Sequence, residues 1–120
     1  VHLFKFHLAS LYLSNPDLKP PFLCLVVSGG HSNIIEVKDY TKFKILGRTR
    51  DDAAGEAFDK VGRRLGLAYP GEVMLDKISE NGNPDSFKLP VPLSGEDTYD
   101  FSFSGIKTAM INIQTNEIDR

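Results

Sequence analysis

The chain has 120 residues, of which 41% are hydrophobic and 25% are charged, and its formal net charge is -2. This composition excludes a disordered tail, and the small negative charge excludes a global field that draws the chain onto nucleic acid or anionic lipid. No apolar segment has the length of a membrane span, and the single cysteine, Cys24, lies in an apolar run. We therefore expect a soluble, cytoplasmic protein with one domain in this chain.

The first half of the chain predicts one helix and three strands. Residues 2–13 carry apolar side chains at a mixed spacing that favours a helix over a strand. Residues 22–27 form a continuous apolar run, which predicts a central strand buried on both faces. Residues 33–37 and 43–46 follow over short connections, so antiparallel pairing of three neighbouring strands is the economical interpretation.

The second half is mostly helical in its pattern. Apolar residues three or four apart predict a helix over residues 51–67, and a second helix after Tyr69-Pro70-Gly71 ends near Asn81. Residues 84–100 predict an ordered loop, residues 101–103 a short strand and residues 106–113 a last helix. Because Val1 opens inside an apolar pattern and little sequence follows the last helix, we expect the chain to be part of a longer protein.

The segment VVSGGH joins the first two predicted strands. Glycine leaves the backbone N–H groups unobstructed, and several such donors can hold a phosphate or an acyl-phosphate. A plain hairpin turn uses the same dipeptide, so Gly29-Gly30 alone leaves both interpretations open. His31 borders the turn and either donates to a phosphate or caps the turn.

The segment DDAAGEAFDK supplies acidic side chains directly after the third strand. On a straight helix Asp52, Glu56 and Asp59 share one side, because spacings of four and three return to nearly the same direction. A solvated acidic face gives the same pattern. Small residues would let this helix press on the sheet and bring its carboxylates to the mouth of the Gly-Gly turn. These residues are Ala53, Ala54, Gly55 and Ala57.

Four segments, VVSGGHSN, DDAAGEAFDKVGRRLGL, YPG and DFSFSGIKTA, resemble the TsaD family in order and spacing. This is the family of tRNA threonylcarbamoyladenosine transferases once described as O-sialoglycoprotein endopeptidases, and the resemblance covers essentially the whole chain. It implies an α/β fold, a fragment of the actin-like (ASKHA, ribonuclease H-like) ATPase fold in which three antiparallel strands are followed by helices. It implies transfer of a threonylcarbamoyl group from threonylcarbamoyl-adenylate to the adenosine beside the tRNA anticodon.

The resemblance also implies how this part of the fold is organised and which partners it binds. We expect residues 1–120 to form a single partial domain that is inactive alone. Residues 1–20 are a linker helix and a proline-rich segment, residues 21–66 the phosphate-loop hairpin, third strand and acidic helix, and residues 67–120 the second helix, loop and FSFSG strand and helix. The implied partners are tRNA, the proteins TsaB and TsaE, and a second copy in a homodimer.

Site residues follow from the resemblance position by position. Asp59 matches a ribose-binding aspartate and Asp76 a further acid of the family, while Glu72 stands where the family has a second glycine after Tyr-Pro-Gly. The resemblance implies ATP or threonylcarbamoyl-adenylate as the ligand and assigns no catalytic residue in this chain. The nucleotide loop falls on Val26, Val27, Ser28, Gly29 and Gly30.

The family's metal position is incomplete in this chain. The resemblance implies one divalent metal, iron or zinc, held by a His-x-x-x-His pair that falls on Leu3 and His7. His2 is a poor substitute because a spacing of five places its side chain about 140° from His7 around a helix. His7 is therefore either half of a metal site or a packed or solvent-facing histidine, and Lys5 and Phe6 replace the family's Glu-Gly between the two histidine positions.

The sequence leaves alternatives for the function and for two groups of basic residues. A degenerate, non-catalytic nucleotide-binding or dimerisation subunit of the same family fits Glu72 and Leu3, whereas a metalloendopeptidase lacks support because no His-Glu-x-x-His motif is present. Lys107 lies near an anion at a helix N-terminus or in solvent. A short basic stripe contacts tRNA phosphates or is solvated surface; it consists of Lys42, Lys44, Arg48 and Arg50.

Overall fold

The computed structural model describes the backbone of residues 2–118 and the side chains of residues 4–117. Three strands and four helices are present in these residues, which confirms the predicted α/β class and the antiparallel three-stranded start followed by helices. No helix among them is long and apolar enough to cross a membrane. In chain order the elements are α1 (His2–Ser14), β1 (Phe22–Val27), β2 (Ser32–Asp39), β3 (Lys42–Arg48), α2 (Ala54–Arg64), α3 (Gly71–Ser79) and α4 (Ser104–Ile118).

The sheet has the order β1-β2-β3, and both pairs are antiparallel. The prediction that residues 22–27 form the central strand is wrong, because β2 is central and β1 lies at one edge. Burial alternates along β1: Cys24 and Val26 are buried, whereas Leu23 is 68% exposed and Leu25 is 63% exposed. The continuous apolar run therefore has one covered face within the described residues.

The core lies between α1 and one face of the sheet. Phe4 and Leu8 of α1 pack against Cys24 and Val26 of β1 and against two side chains of β2. Those two, Ile35 and Val37, are the largest fully buried side chains among the described residues. This core fixes the β1–β2 hairpin, and the connection at the end of that hairpin carries the candidate site.

Helix α2 is attached to the start of β2 by its first residues. Its N-cap, Ala53, has no side chain that can cap the helix, so other groups satisfy the first N–H donors. The Glu56 carboxylate accepts from the Ala53 N–H at 3.2 Å, and the Ser32 hydroxyl accepts from the Ala54 N–H at 3.0 Å. The helix consequently begins beside the β1–β2 connection, three residues later than the sequence pattern predicts.

Helices α2 and α3 approach each other through two buried glycines, Gly62 and Gly71. A Cβ added to Gly62 would lie 2.8 Å from the Gly71 carbonyl oxygen and 3.0 Å from the Gly71 Cα. Both are backbone atoms, so no flexible side chain could give way. The absence of a side chain at these positions lets α3 begin directly against α2.

The chain after the loop of residues 80–100 joins the outer edge of β3. Phe101 donates its N–H to the Arg48 carbonyl at 3.0 Å and accepts from the Arg50 N–H at 2.9 Å. Only one isolated parallel bridge, between Thr49 and Phe101, results. The prediction of a strand at residues 101–103 is therefore wrong, although the alternation correctly indicates an extended segment.

Candidate functional site

The connection between β1 and β2 is a short turn from Ser28 to His31 that is closed by its own atoms. Val27 and Ser32 pair in register at its base. The Ser28 N–H donates to the His31 carbonyl at 2.8 Å, and the His31 N–H donates to the Ser28 hydroxyl at 3.1 Å. Ser28 and His31 are thus hydrogen-bonded to each other, and Gly29 and Gly30 form the tip of the turn.

The tip of this turn presents unused donors. Neither the Gly29 nor the Gly30 N–H forms a hydrogen bond with any residue in the described part of the chain, and both residues are exposed. Neither has a positive φ. A Cβ added to either would meet no atom within 4 Å. Neither the backbone angle nor crowding by the described residues therefore requires glycine at these two positions.

The first turn of α2 touches the glycine turn directly. An ideal Cβ at Gly55 would lie 2.6 Å from the Gly29 Cα, which is far inside van der Waals contact. Asp59 follows Gly55 by four residues and so lies on the same side of α2, one helical turn further along. The structure thus brings Gly29 and Asp59 to the same side of this helix.

The Asp59 carboxylate joins α2 to the start of α3. One oxygen accepts from the Gly71 N–H at 3.2 Å, and the other accepts from the Arg63 guanidinium at 2.8 Å. A carboxylate offers about four acceptor positions. Two hydrogen bonds therefore orient the group and leave acceptor capacity for a further donor.

Asp51, which the sequence reasoning did not single out, attaches the segment FSFSG to this region. Its carboxylate accepts from the Phe103 N–H at 2.8 Å, the Ser104 N–H at 3.2 Å and the hydroxyls of Ser102 and Ser104 at 2.6 and 2.9 Å. Asp51 caps α4 from half the chain away. The sequence pattern placed Asp51 in the first turn of the predicted helix over residues 51–67, whereas its carboxylate caps α4.

Asp52 provides a second link to α4. Its carboxylate accepts from Lys107 of α4 at 2.8 Å and from Lys60 of α2 at 2.7 Å. Hydrogen bonds from Lys107 first, and then from Lys60, lower the pKa of Asp52. Of the two interpretations of Lys107, the structure supports a position beside an anion at a helix N-terminus, and that anion is Asp52.

Asp51 also titrates differently from a free aspartate. Partial burial is the largest single influence and raises its pKa, but the hydrogen bonds from Ser102, Phe103 and Ser104 together outweigh it and lower the pKa below the ordinary 3.8. Because the folded-state pKa is lowered, the contribution to stability is complete above pH 3.8 and is lost as the pH falls below that value.

Asp51→Ala is expected to lower the free energy of unfolding by about 0.5–2 kcal/mol at neutral pH, the usual cost of losing a helix N-cap. Chemical denaturation of the full-length protein at a series of pH values measures this. The difference in unfolding free energy between wild type and variant should become smaller below pH 3.8. Asp97→Ala, which removes an exposed loop carboxylate, is the matched control and should change little. A gap that stayed constant into acid would contradict the assigned role.

The acidic side chains of the DDAAGEAFDK segment do not form a single face. The prediction that Asp52, Glu56 and Asp59 share one side of a helix is wrong for Asp52, which precedes α2. Glu56 is used at the helix start and Asp59 at the contact with α3. Each carboxylate has its own partner within the fold, which argues against a merely solvated acidic face.

Two other polar features have structural partners. The His31 ring lies edge-on to the Phe4 ring with centroids 5.9 Å apart, and its backbone closes the turn, as the capping alternative predicts. The basic stripe is largely offset by acids. Lys42 stands opposite Asp39 and Lys44 opposite Glu36 in the sheet register, while Arg50 pairs with Glu96 at 2.9 Å and with Asp100 at 3.1 Å.

Among residues 4–117, the histidine proposed as a metal ligand has no convergent partners for a metal ion. His7 is exposed on α1 and lines a cleft of about 210 Å³ beside Val26 and Val27. No three His, Cys, Asp or Glu side chains converge on a metal-sized site among residues 4–117. Leu3, the position matching the first histidine of the family's pair, lies outside the described side chains. The described residues therefore do not fit a metal centre.

The remaining predicted residues lie in β1 and α3. Val26 is buried in the core and Val27 is 54% exposed at the end of β1. Glu72 is half-buried in the first turn of α3, and Asp76 is exposed further along the same helix. On the α1 side, a cleft of about 310 Å³ opens next to Gly30. The two valines thus lie in the strand that leads into the turn, and the two acids lie in α3.

Comparisons with known proteins agree on one family. A sequence model of tRNA N6-adenosine threonylcarbamoyltransferase, TsaD, matches residues 1–119. Proteins of that name from Clostridium botulinum (strain 657 / Type Ba4), Clostridium perfringens (strain 13 / Type A) and Clostridioides difficile (strain 630) are 58%, 55% and 53% identical over 106 residues. Each match covers 88% of this chain and 31% of the relative, so the chain spans about a third of the length of these relatives.

Proposed function

Because the chain belongs to the tRNA N6-adenosine threonylcarbamoyltransferase family, TsaD, we propose that it supplies the phosphate-binding turn of a threonylcarbamoyl transferase. The full-length protein would move the threonylcarbamoyl group of threonylcarbamoyl-adenylate to N6 of an adenosine beside the tRNA anticodon. The ligand of this part of the protein is then the adenylate or ATP.

One observation carries this proposal: two adjacent glycines with free N–H groups at a position where the fold itself does not need glycine. Gly29 and Gly30 lack positive φ, and a side chain added at either position would face open space. Glycine costs backbone entropy on folding, so its use here calls for another reason. Close approach of a phosphate to bare backbone amides is such a reason, and the adjacent N-terminus of α2 adds a favourable dipole.

The ribose of the same nucleotide would lie against Asp59. Its carboxylate is oriented by Gly71 and Arg63 and keeps acceptor capacity, and paired ribose hydroxyls are donors that suit it. Asp59 also lies on the side of α2 that touches Gly29. In this proposal Ser28 shapes the turn, Val26 and Val27 set its position at the end of β1, and Asp76 lies at the outer margin.

The described residues do not form a metal centre. The family resemblance implies one divalent metal, iron or zinc, but His7 alone cannot hold it and no convergent ligand set exists among residues 4–117. The proposed steps for these residues are therefore binding and orientation: the turn holds phosphate and Asp59 holds ribose. The implied partners remain tRNA, TsaB, TsaE and a second copy of the chain, and a tRNA substrate would place the protein in the cytoplasm.

A transfer assay with full-length protein, threonylcarbamoyl-adenylate and a tRNA carrying adenosine beside the anticodon tests this function. We expect threonylcarbamoyladenosine in the tRNA, measured by mass spectrometry of its nucleosides, and at least tenfold less product with Asp59→Ala. The 120-residue chain alone should give none. Full activity of Asp59→Ala would contradict the ribose assignment, and product from the short chain would contradict the need for the rest of the protein.

A second function is favoured by Glu72. This half-buried carboxylate lies in the first turn of α3, next to the residue that contacts Asp59, and its charge would repel a bound adenylate. A non-catalytic binding or dimerisation subunit is the function that follows from it. Calorimetry of ATP binding to full-length wild type and Glu72→Gly separates the two. Absence of ATP binding in both supports a dimerisation subunit. ATP binding in wild type without transfer to tRNA supports a nucleotide-binding subunit, and binding together with transfer supports the transferase.

A further inference from the structure

We propose that Gly55 is a positioning residue for the glycine turn: its bare α-carbon lets α2 press on the backbone of Gly29 and hold the free donors of the turn in one orientation. The part of this inference that concerns a ligand rests on the proposed function. The part that concerns the turn depends on the fold alone.

The contact is made between backbones. A Cβ at Gly55 would lie 2.6 Å from the Gly29 Cα, 3.0 Å from the Ser28 carbonyl oxygen and 3.1 Å from the Gly29 nitrogen. Optimal contacts between carbon atoms are about 3.5–4.0 Å, so a methyl group there would require a movement of about 1 Å. No side-chain rotation can absorb that movement because all three atoms belong to the main chain.

The helix cannot easily make this movement. Its first N–H groups are held by the Ser32 hydroxyl at 3.0 Å and by the Glu56 carboxylate at 3.2 Å, and Gly62 presses on Gly71 at its other end. The turn, in contrast, faces open space beyond Gly29 and Gly30. A methyl group at Gly55 would therefore displace the turn and its donors, not the helix.

Glycine in the first turn of a helix is otherwise unfavourable, since alanine is the better helix former. Gly105 provides the comparison, because it also lies in the first turn of its helix, α4, but a Cβ there would meet no atom within 4 Å. The two glycines have the same local conformation and differ in what they face. This makes Gly105→Ala the matched control for Gly55→Ala.

The experiment uses full-length protein labelled with 15N-glycine, with ATP as the probe. In ligand-free Gly55→Ala the amide resonances of Gly29 and Gly30 should shift, and the Kd for ATP should rise about 10- to 100-fold, since the loss of a hydrogen bond to a charged group has about that effect on affinity. Gly105→Ala should leave both measurements at their wild-type values. A circular dichroism spectrum confirms that each variant is folded.

Two results would overturn the inference or part of it, and a third would overturn the proposed function. Unshifted Gly29 and Gly30 resonances in Gly55→Ala would overturn the positioning role whether or not anything binds. Shifted resonances with unchanged ATP affinity would overturn its link to the ligand. Absence of ATP binding in wild type would instead defeat the proposed function, and the resonance shifts would still decide the positioning role.

A measurement on the wild type covers the case in which Gly55→Ala does not fold. The Gly29 and Gly30 amides are exposed and make no hydrogen bond among the described residues, so a freely moving loop tip would be the ordinary expectation. The contact with α2 instead predicts backbone order parameters near 0.85 for Gly29 and Gly30, roughly the value of a rigid backbone. Values below about 0.6 would overturn the inference.

Discussion

Replacing Gly29 with alanine is expected to raise the Kd of the full-length protein for ATP about 10- to 100-fold while leaving its thermal stability unchanged or slightly higher. A hydrogen bond to a charged group contributes about 1.5–3 kcal/mol, and each 1.4 kcal/mol is roughly tenfold in affinity. The added methyl group would occupy the space through which a phosphate reaches the turn. Gly30→Ala should behave in the same way.

This prediction is specific because the same substitution weakens ATP binding and leaves the thermal stability unchanged or higher. Because Gly29 and Gly30 lack positive φ and an added methyl group at either would face open space, alanine fits the unliganded turn and stabilises the fold by up to about 1 kcal/mol. Calorimetry gives the affinity and differential scanning calorimetry gives Tm. Gly95→Ala, at an exposed glycine with equally open surroundings, is the control that should leave affinity unchanged. Wild-type affinity in Gly29→Ala and Gly30→Ala would mean that the turn is a plain hairpin connection.

Truncation of Ile35 to alanine is expected to cost about 2–5 kcal/mol of unfolding free energy, the largest effect on stability that we predict. Ile35 is 0% exposed in the middle of β2 and lies in the core formed by α1 and the sheet. The cavity left behind would face the side chains of Phe4 and Leu8. Urea denaturation of the full-length protein measures the change.

Ile35→Val is the graded control for this truncation, since removal of a single methylene from a packed core costs about 0.5–1.5 kcal/mol. The ratio between the losses of unfolding free energy in the two variants tests whether the core around Ile35 is closely packed. An alanine variant no less stable than the valine variant would show that the core around β2 can collapse, and that the hairpin carrying the turn is less firmly held than the burial indicates.

The sequence predicted local structure well where one periodic pattern was enough. Three short apolar runs gave three antiparallel strands, and the spacing of apolar residues gave α2 and α3. It misplaced the start of α2 because the helix is capped by Ser32 and Glu56, and the Ser32 contact crosses from another element. The sequence also predicted that β1 is the central strand. A continuous apolar run is typical of a strand covered on both faces, but β1 has only one covered face in the described residues.

The candidate site was predictable in part. Gly29-Gly30 was recognisable from the residues and from the family resemblance, and the small residues of α2 indicated close packing that the contact at Gly55 makes specific. The role of Asp51 was not predictable, because its partners Ser102 and Ser104 are about fifty residues away. The binding roles of Asp59 and Asp76, and the division of the chain at residues 20 and 66, stay predictions.

A crystal structure of the full-length protein with ATP would test the central claim most directly. The account predicts a phosphate oxygen at about 3 Å from the Gly29 or Gly30 nitrogen, with a ribose hydroxyl within the same distance of the Asp59 carboxylate. Nucleotide bound elsewhere, for example in the apolar groove lined by Phe58 and Met110, with the turn facing only solvent, would contradict it.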